Sequence, residues 1–251
     1  SKTSALYPVN IFGLPPDLGE LQSIADRKGV PLVMDSAQGL GALYSGQKCG
    51  SFGVCEVFSL SPTKVITAIE GGLITTDDEK LANKLRAMRD YGKGSEDHGM
   101  IYNGLSARMS ELHAGVGLLS LRNAGTLISS RMQLIMKYRK LAQSLQGCSV
   151  QEFPSDRVTS GNYFVIRIGP SAKRTRDQVY DGLKTRGIQT KKYFYPPVHV
   201  QPAFEDLPKR VLGELPVTWE ATKTCLALPL FAHMIDEQQE VVIDALEKLL
   251  E

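Results

Sequence analysis

Strand-like apolar runs alternate with helical patterns over the first 90 residues, and this alternation constrains the fold more than any other feature of the chain. One helical pattern begins after Asp17 and ends at Gly29, and a second one follows Asp78. The strand candidates around these helices are residues 5–11, 30–35, 56–60 and 72–76. Strands that alternate with helices form mainly parallel sheets covered by helices. The sequence therefore predicts an α/β fold with a mainly parallel sheet.

The second half of the chain has a different order of elements. A long amphipathic pattern at residues 127–145 is suited to link two domains. The other predicted elements are a loop at 91–106, a strand at 163–168, a short strand near 190–193, and helices at 109–121, 175–185, 217–226 and 236–250. We therefore predict a large domain at residues 1–123, followed at 124–251 by a linking helix and a small α+β domain.

The charge balance and the cysteines limit the classes of function. The chain of 251 residues has 29 Lys and Arg against 27 Asp and Glu, a formal net charge of +2, which argues against binding to nucleic acid or to an anionic membrane. It lacks the run of about 18 apolar residues that a membrane helix needs. The four cysteines lack the spacing of a zinc site or a disulfide framework, so free thiols and a cytoplasmic location are predicted.

Lys64 and Asp35 are the residues whose chemistry suggests a function. Pyridoxal phosphate needs an amine that holds its aldehyde as a Schiff base, and a carboxylate that keeps its ring nitrogen protonated. Asp35 follows an apolar strand, where α/β sheets bind ligands, and the residues just before Lys64 carry no competing charge. The alternative for Lys64 is a solvated surface charge, as for most lysines. Together the two residues indicate a pyridoxal-phosphate site, and no metal site is predicted.

An ordered series of segments around these residues resembles the DegT/DnrJ/EryC1/StrS family of sugar aminotransferases, which are fold-type-I pyridoxal-phosphate enzymes. The segments are Asp35-Ser36-Ala37-Gln38, Phe58-Ser59-Leu60-Ser61-Pro62-Thr63-Lys64, Glu70-Gly71-Gly72, Ala107-Arg108-Met109-Ser110-Glu111, Tyr193-Phe194-Tyr195-Pro196-Pro197-Val198-His199 and Leu228-Pro229-Leu230-Phe231. The series is highly specific and extends over most of the chain. The resemblance implies an aspartate-aminotransferase-like fold, in which residues 1–123 are a partial large domain that binds pyridoxal phosphate.

The resemblance also assigns cofactor roles to individual residues. It implies that Lys64 holds the cofactor and moves the proton between the substrate carbon and the cofactor carbon, while Asp35 pairs with the ring nitrogen. It further implies that Gln38 lies near the phenolic oxygen and that Ser59 bonds the phosphate. Ser106 stands where the family commonly has an asparagine that reaches the cofactor phosphate of the neighbouring subunit, and serine has a shorter reach. A homodimer is expected.

The aromatic segment 193–199 is the candidate substrate site. The resemblance implies that it faces a nucleotide sugar, with Tyr195 or His199 lining the pocket and Lys191 or Lys192 near the diphosphate. A packed loop that joins two domains is the alternative for this segment. The implied reaction transfers an amino group from an amino acid to a nucleotide-linked keto-sugar, as in deoxyamino sugar biosynthesis.

The start of the chain suggests a second hypothesis. Members of the family carry a further N-terminal part that supplies the backbone cradle for the cofactor phosphate, and the resemblance here begins within the fold. The alternative is therefore a truncated, non-catalytic aminotransferase scaffold that acts by protein association, with weak or absent cofactor binding. Lys64 argues against the dehydratase branch of the family, in which histidine replaces this lysine.

Overall fold

The computed structural model describes residues 2–94, 99–206 and 214–251. These residues form two compact units. The first unit contains Ser1–Ser129 and Phe153–Asn162, and the second contains Ser130–Glu152 and Tyr163–Glu251. The first unit is therefore discontinuous in sequence, because the chain returns to it after entering the second. The predicted division at residue 123 assigns all of residues 124–251 to the second domain, whereas Phe153–Asn162 lie in the first unit.

The helices and strands follow the predicted order along most of the chain, and the α/β class is confirmed. In chain order they are α1 (Leu18–Lys28), β1 (Val33–Asp35), β2 (Leu43–Tyr44), β3 (Gln47–Lys48), β4 (Cys55–Ser59), β5 (Gly72–Thr75), α2 (Glu79–Arg89), α3 (Glu111–Arg122), α4 (Ala124–Ser144), β6 (Cys148–Val150), β7 (Arg157–Val158), β8 (Phe164–Ile168), α5 (Arg176–Lys184), α6 (Pro216–Thr224), β9 (Cys225–Leu228) and α7 (Asp236–Leu250). Within the described part of the chain, none of the helices has the length and apolar character to cross a membrane.

Local sequence sets the ends of the helices in the first unit. Asp17 Oδ1 accepts a hydrogen bond from Glu20 N at 3.0 Å, and Asp78 Oδ1 accepts one from Lys80 N at 2.8 Å, so both carboxylates cap the first turn of a helix. Helix α1 ends at Gly29, which adopts the left-handed conformation with φ 61°. These boundaries agree with the predicted ones because capping depends on neighbouring residues alone.

The sheet of the first unit combines a parallel and an antiparallel pair. Strand β4 lies between β1 and β5. It runs parallel to β1, with Val57 opposite Asp35, and antiparallel to β5, with Ser59 opposite Gly72. Residues 60–71, all of them described, connect β4 to β5 without a helix, so the chain turns back beside β4 instead of crossing over. The sheet predicted to be mainly parallel is therefore mixed in its described part.

The first predicted strand is wrong. Residues 5–11 form isolated parallel bridges, which pair Leu6 with Leu32 and Val9 with Asp35, and a 3-10 helix at Ile11–Gly13 follows. Pro8 lies between the two bridges and has no N–H to donate, which interrupts a continuous ladder. Residues 95–98 of the predicted loop 91–106 lie outside the described residues.

Two predicted elements of the second half differ from the structure in part. The helix predicted at residues 217–226 ends two residues early, because Cys225–Leu228 form the fully buried strand β9. An apolar run of four residues fits a buried strand and a helix end equally well, and pairing with β8 decides between them. The short strand predicted near residues 190–193 is reduced to a single bridge between Lys191 and Ala227.

The second unit has an α+β fold, as predicted. Its antiparallel sheet has the order β6-β8-β9, and α5 packs against α7. The core contains Ile166, Leu183, Leu226 and Leu246, each of them almost fully buried. A Cβ atom at Gly182 of α5 would lie 2.6 Å from a methyl carbon of Leu249, so the two helices approach each other closely at this glycine.

Asp17 connects α1 to two short strands and gives the first unit a pH-dependent contact. Its carboxylate accepts hydrogen bonds from the Tyr44 hydroxyl of β2 and from Arg157 Nη2 of β7, both at 3.0 Å. The backbone N–H of Glu20, and after it Tyr44 and Arg157, hold the pKa of Asp17 below its ordinary value. The carboxylate therefore stabilises the fold above its unfolded pKa, and this contribution is lost as pH falls through the folded pKa.

We therefore expect Asp17→Asn to lower the urea midpoint of unfolding at pH 7 and to have a vanishing effect in acid. Asparagine keeps one oxygen for the helix cap and for the Tyr44 hydroxyl, so the loss at neutral pH reports the charge together with the acceptor for Arg157 Nη2. Urea titrations at steps between pH 7 and about pH 2.5 measure the difference between the variant and the wild type. Asp77→Asn, at an exposed carboxylate of the same unit, is the control. A difference that stays constant over this pH range would contradict the expectation.

Candidate active site

Asp35 and Ser59 lie on the same face of the sheet, at the carboxyl ends of two parallel strands. Asp35 pairs with Val57 of β4, and residues two apart on a strand share a face, so Ser59 projects on the same side. This face is half-buried, whereas Glu56 and Phe58 on the opposite face are fully buried. The carboxyl edge of the parallel pair therefore offers a carboxylate and a hydroxyl on one side, where α/β sheets bind ligands.

Hydrogen bonds to neighbouring segments fix the orientation of Asp35. Its Oδ1 accepts from Ala37 N at 3.1 Å, and its backbone oxygen accepts from Asn10 N at 2.9 Å. Burial, and after it the negative charge of Asp35, raises the pKa of the Tyr7 hydroxyl. The Asp35 side chain is thus held at this edge, where a carboxylate suits a protonated ring nitrogen.

Gln38 is oriented by contacts on both its side chain and its backbone. Its Oε1 accepts from Phe12 N at 2.6 Å, and its backbone oxygen accepts from the Ser160 hydroxyl at 2.6 Å. Because Oε1 faces the 3-10 helix at Ile11–Gly13, the amide nitrogen is the atom that remains to donate to a ligand.

Lys64 lies on the connection between β4 and β5, which is anchored on both sides of it. Lys64 N donates to Ser61 O at 3.0 Å and closes a turn. The residues that follow are buried, and Val65 N donates to Asn162 Oδ1 at 3.3 Å. The lysine itself is half-buried. Since β4 leads directly into this connection, Lys64 follows Ser59 at the same carboxyl edge.

A buried polar network supports this edge from the opposite face, and sequence reasoning missed it. Glu56 Oε2 accepts from the Ser36 hydroxyl at 2.5 Å, and Glu56 Oε1 accepts from Gly50 N at 2.5 Å and Phe52 N at 2.9 Å. Asn10 Nδ2 donates to Ser36 Oγ at 2.9 Å. Glu56 is fully buried and Ser36 follows Asp35 directly, so the network holds the end of β1. The signal in the sequence is a lone carboxylate within an apolar strand.

Ser106 belongs to a different cluster of the first unit. It is exposed and forms an antiparallel bridge with Asp90. Hydrogen bonding from Ser106, and after it the charge of Arg108, lowers the pKa of Tyr91. Arg108 Nε lies 3.5 Å from Asp90 Oδ1 and its guanidinium lies over the Tyr91 ring. Arg108 is therefore part of a surface ion pair, and a role for Ser106 towards a neighbouring subunit stays a prediction.

The four predicted substrate residues lie in the second unit, and two of them, Lys192 and Tyr195, contact the ion-paired side chains of Asp177 and Arg176. Lys192 Nζ contacts Asp177 Oδ1 at 2.6 Å, and the Arg176 guanidinium lies over the Tyr195 ring. Lys192 is the first cause of the lowered pKa of Asp177, so its positive charge is already paired.

The other two substrate candidates have separate surroundings. Lys191 is exposed and pairs with Ala227 through its backbone alone. His199 packs edge-on against Trp219, with the ring centres 5.6 Å apart. The assignment of these residues to a sugar nucleotide stays a prediction.

A cavity of about 740 Å³ lies elsewhere in the first unit, between β5 and α2. Its lining includes Leu73, Leu85, Arg86, Arg89 and Leu105. The lining is mainly apolar and contains none of the residues Asp35, Gln38, Ser59 and Lys64. Among the described residues, no group of three or more His, Cys, Asp or Glu side chains is arranged to hold a metal ion. The cavity is therefore separate from the candidate site, which lies at the carboxyl edge of β1 and β4.

A comparison with known protein families shows which family the chain belongs to. The model of the DegT/DnrJ/EryC1/StrS aminotransferase family matches residues 1–247. The chain belongs to this family. The resemblance found in the ordered motifs is thereby confirmed, and it extends over nearly the whole sequence.

Relatives within the family are about a third identical to this DegT/DnrJ/EryC1/StrS member over the aligned residues. It is 31% identical over 244 residues to a pleiotropic regulatory protein of Geobacillus stearothermophilus, covering 97% of this chain and 64% of that protein. It is 31% identical over 253 residues to GDP-perosamine synthase of Caulobacter vibrioides, covering 99% and 67%. The crystal structure of DesI in the presence of its TDP-sugar product matches with a TM-score of 0.89 and 31% identity, covering 98% and 62%. The chain thus spans about two thirds of the length of these relatives.

Proposed function

We propose that the protein transfers an amino group from an amino acid to a nucleotide-linked keto-sugar, with pyridoxal phosphate as cofactor. The observation that carries the proposal is the parallel pairing of β1 with β4, which brings Asp35 and Ser59 to one half-buried face with Lys64 on the connection that follows. Similarity to GDP-perosamine synthase and to DesI, analysed in the presence of its TDP-sugar product, supports a nucleotide sugar as substrate.

The chemistry of these side chains fits pyridoxal phosphate. The cofactor presents a basic ring nitrogen, a phenolic oxygen, an aldehyde and a phosphate, and these need a carboxylate, a donor, an amine and a further donor. Asp35, the amide of Gln38, Lys64 and the hydroxyl of Ser59 supply this set in the same order. The half-buried face suits a ligand that must exclude water from its reacting carbon.

Each residue has a distinct task in the proposed reaction. When bound, pyridoxal phosphate supplies an electron-accepting ring that stabilises negative charge at the carbon bearing the amino group. Lys64 Nζ holds the cofactor covalently and, once released, carries the proton between the two carbons that exchange it. The Asp35 carboxylate keeps the ring nitrogen protonated, and its own hydrogen bond from Ala37 N fixes its position. Gln38 and Ser59 orient the ring and the phosphate.

A homodimer is part of the proposal and is supported by exposed apolar side chains of the first unit. Met100, Leu105 and Leu112 each expose more than 70% of their surface, and Leu118 and Leu119 of α3 expose more than half. Clusters of exposed apolar residues favour association, and symmetric pairs are the commonest form. Within such a dimer, Ser106 would act towards the partner, and Tyr195, His199, Lys191 and Lys192 would contact the sugar nucleotide.

The test is covalent trapping of the cofactor on the purified protein. Pyridoxal phosphate is added, the visible absorption band is recorded, the adduct is reduced with borohydride, and the labelled lysine is identified by peptide mass spectrometry. We expect a saturable band and label on Lys64, followed by amino transfer to a dTDP- or GDP-linked 4-keto-6-deoxy sugar. Lys191→Ala and Lys192→Ala should keep both band and label. A missing band, or label scattered over many lysines, would overturn the proposal and favour the non-catalytic scaffold.

A further inference from the structure

The segment that returns to the first unit ends in a run of buried polar residues that contact both sides of the candidate site. Thr159, Ser160 and Asn162 are each at most 3% exposed. The Thr159 hydroxyl accepts from Gly161 N at 3.2 Å, which shapes the segment itself. Buried polar side chains are costly unless they are used in hydrogen bonds, so a run of three indicates a specific task.

Ser160 fixes the segment that carries Gln38. Its hydroxyl donates to Gln38 O at 2.6 Å, and its backbone N donates to Gly13 O at 2.9 Å. A Cβ atom at Gly13, where φ is +99°, would lie 2.2 Å from Ser160 Oγ and 3.0 Å from Gln38 O, so the three segments meet without spare room. Phe12 N in turn donates to Gln38 Oε1. Ser160 therefore acts on Gln38 both directly and through residues 12–13.

Asn162 fixes the segment that carries Lys64. Its Oδ1 accepts from Val65 N, the first backbone N–H after Lys64, at 3.3 Å. Val65 and Ile66 are buried in an apolar cluster with Leu60, so the backbone on this side of the lysine is held by packing as well as by the hydrogen bond. The turn from Ser61 holds the other side.

We propose that residues 159–162 are a positioning segment that sets the relative placement of Gln38 and Lys64. The two site residues are 26 positions apart in sequence and lie on different connections of the sheet. One short segment contacts both connections, so a shift of either one displaces the other. The proposal rests on the proposed function for its catalytic meaning, while the contacts themselves exist without cofactor. Ser160 and Asn162 act through Gln38 and Lys64 and do not touch the reacting atoms.

The test compares Asn162→Leu, which removes the acceptor and keeps the branched shape of the side chain, with Asn162→Asp, which keeps an oxygen at Oδ1. Amide hydrogen exchange of Val65 is measured in the protein without added cofactor, and the dissociation constant for pyridoxal phosphate is measured by absorbance. We expect Asn162→Leu to accelerate exchange at Val65 by about tenfold and to weaken cofactor binding by a similar factor. Asn162→Asp should restore both, and exchange in α1 should stay unchanged in both variants.

A second variant keeps the test decisive if Asn162→Leu does not fold. Ser160→Ala removes one hydroxyl, and exchange at Phe12 N, which bonds the Gln38 side chain, should accelerate by about threefold to tenfold. Ser149→Ala, at an exposed serine of β6, is the matched control and should change neither value.

The outcomes separate this inference from the proposed function. Faster exchange at Val65 and Phe12 in a protein that does not bind pyridoxal phosphate would support the positioning contacts and overturn the proposed function. Unchanged exchange and unchanged cofactor binding in both variants would overturn the positioning segment. Faster exchange throughout α1 and the sheet would also overturn it, because general destabilisation would then explain the result.

Discussion

Lys64→Ala is expected to abolish borohydride labelling and to slow amino transfer by about 10⁴-fold, the upper end of what general acid–base catalysis contributes, even with excess pyridoxal phosphate. Alanine removes both the amine that holds the cofactor and the carrier of the proton. The measurement is the rate at which glutamate converts a nucleotide-linked keto-sugar to the amino sugar, followed by mass spectrometry. Lys80→Ala, at an exposed lysine of α2, is the matched control and should keep the wild-type rate.

A lysine that acts through its charge alone would give a different result. Lys64→Arg keeps a positive charge at the same position, but arginine stays protonated and cannot serve as the amine. We therefore expect this variant to be as inactive as the alanine variant. Transfer within about tenfold of the wild-type rate in either variant would exclude Lys64 as the proton carrier.

Glu56→Ala is expected to lower the free energy of unfolding by about 3–5 kcal/mol, because three donors around a fully buried carboxylate lose their acceptor at once. These donors are the Ser36 hydroxyl and the backbone N–H groups of Gly50 and Phe52. Urea titration at pH 7 measures the change. A protein of ordinary domain stability remains folded after a loss of this size. Because the network holds the end of β1 next to Asp35, the variant should also bind pyridoxal phosphate more weakly.

Two comparisons make the stability prediction specific to the network. Glu56→Gln keeps one carbonyl oxygen for the two backbone donors, so its loss should be smaller, about 1–2 kcal/mol. Glu20→Ala, at an exposed carboxylate of α1, should change stability by roughly 0.5 kcal/mol or less. Equal midpoints for Glu56→Ala and Glu20→Ala would show that the buried network contributes little.

Features that depend on neighbouring residues could be predicted from the sequence, and features that depend on distant pairing could not. The caps at Asp17 and Asp78 and the stop at Gly29 follow from local chemistry. The direction of β5 depends on how residues 60–71 turn back, and the strand at Cys225–Leu228 depends on its partner β8. In both cases hydrophobic pattern alone allows two answers.

The candidate site shows the same division. Lys64, Asp35, Gln38 and Ser59 could be singled out because their motifs are contiguous in sequence. Glu56 offered a weak signal, a carboxylate inside an apolar strand. Ser160 and Asn162 gave none, because their partners Gln38 and Val65 are 122 and 97 positions away, and a polar run containing glycine is equally typical of a surface turn.

The return of Phe153–Asn162 to the first unit imposes an order on the protein's synthesis. A ribosome completes β1, β4 and the connection bearing Lys64 long before it adds Ser160 and Asn162. Until then the emerging chain lacks the strand that pairs with β2 and the contacts that flank Gln38 and Lys64. The first unit, which carries Lys64, therefore reaches its final form only after α4 and β6 have left the exit tunnel. The folding of the first unit thus has to wait for the synthesis of part of the second.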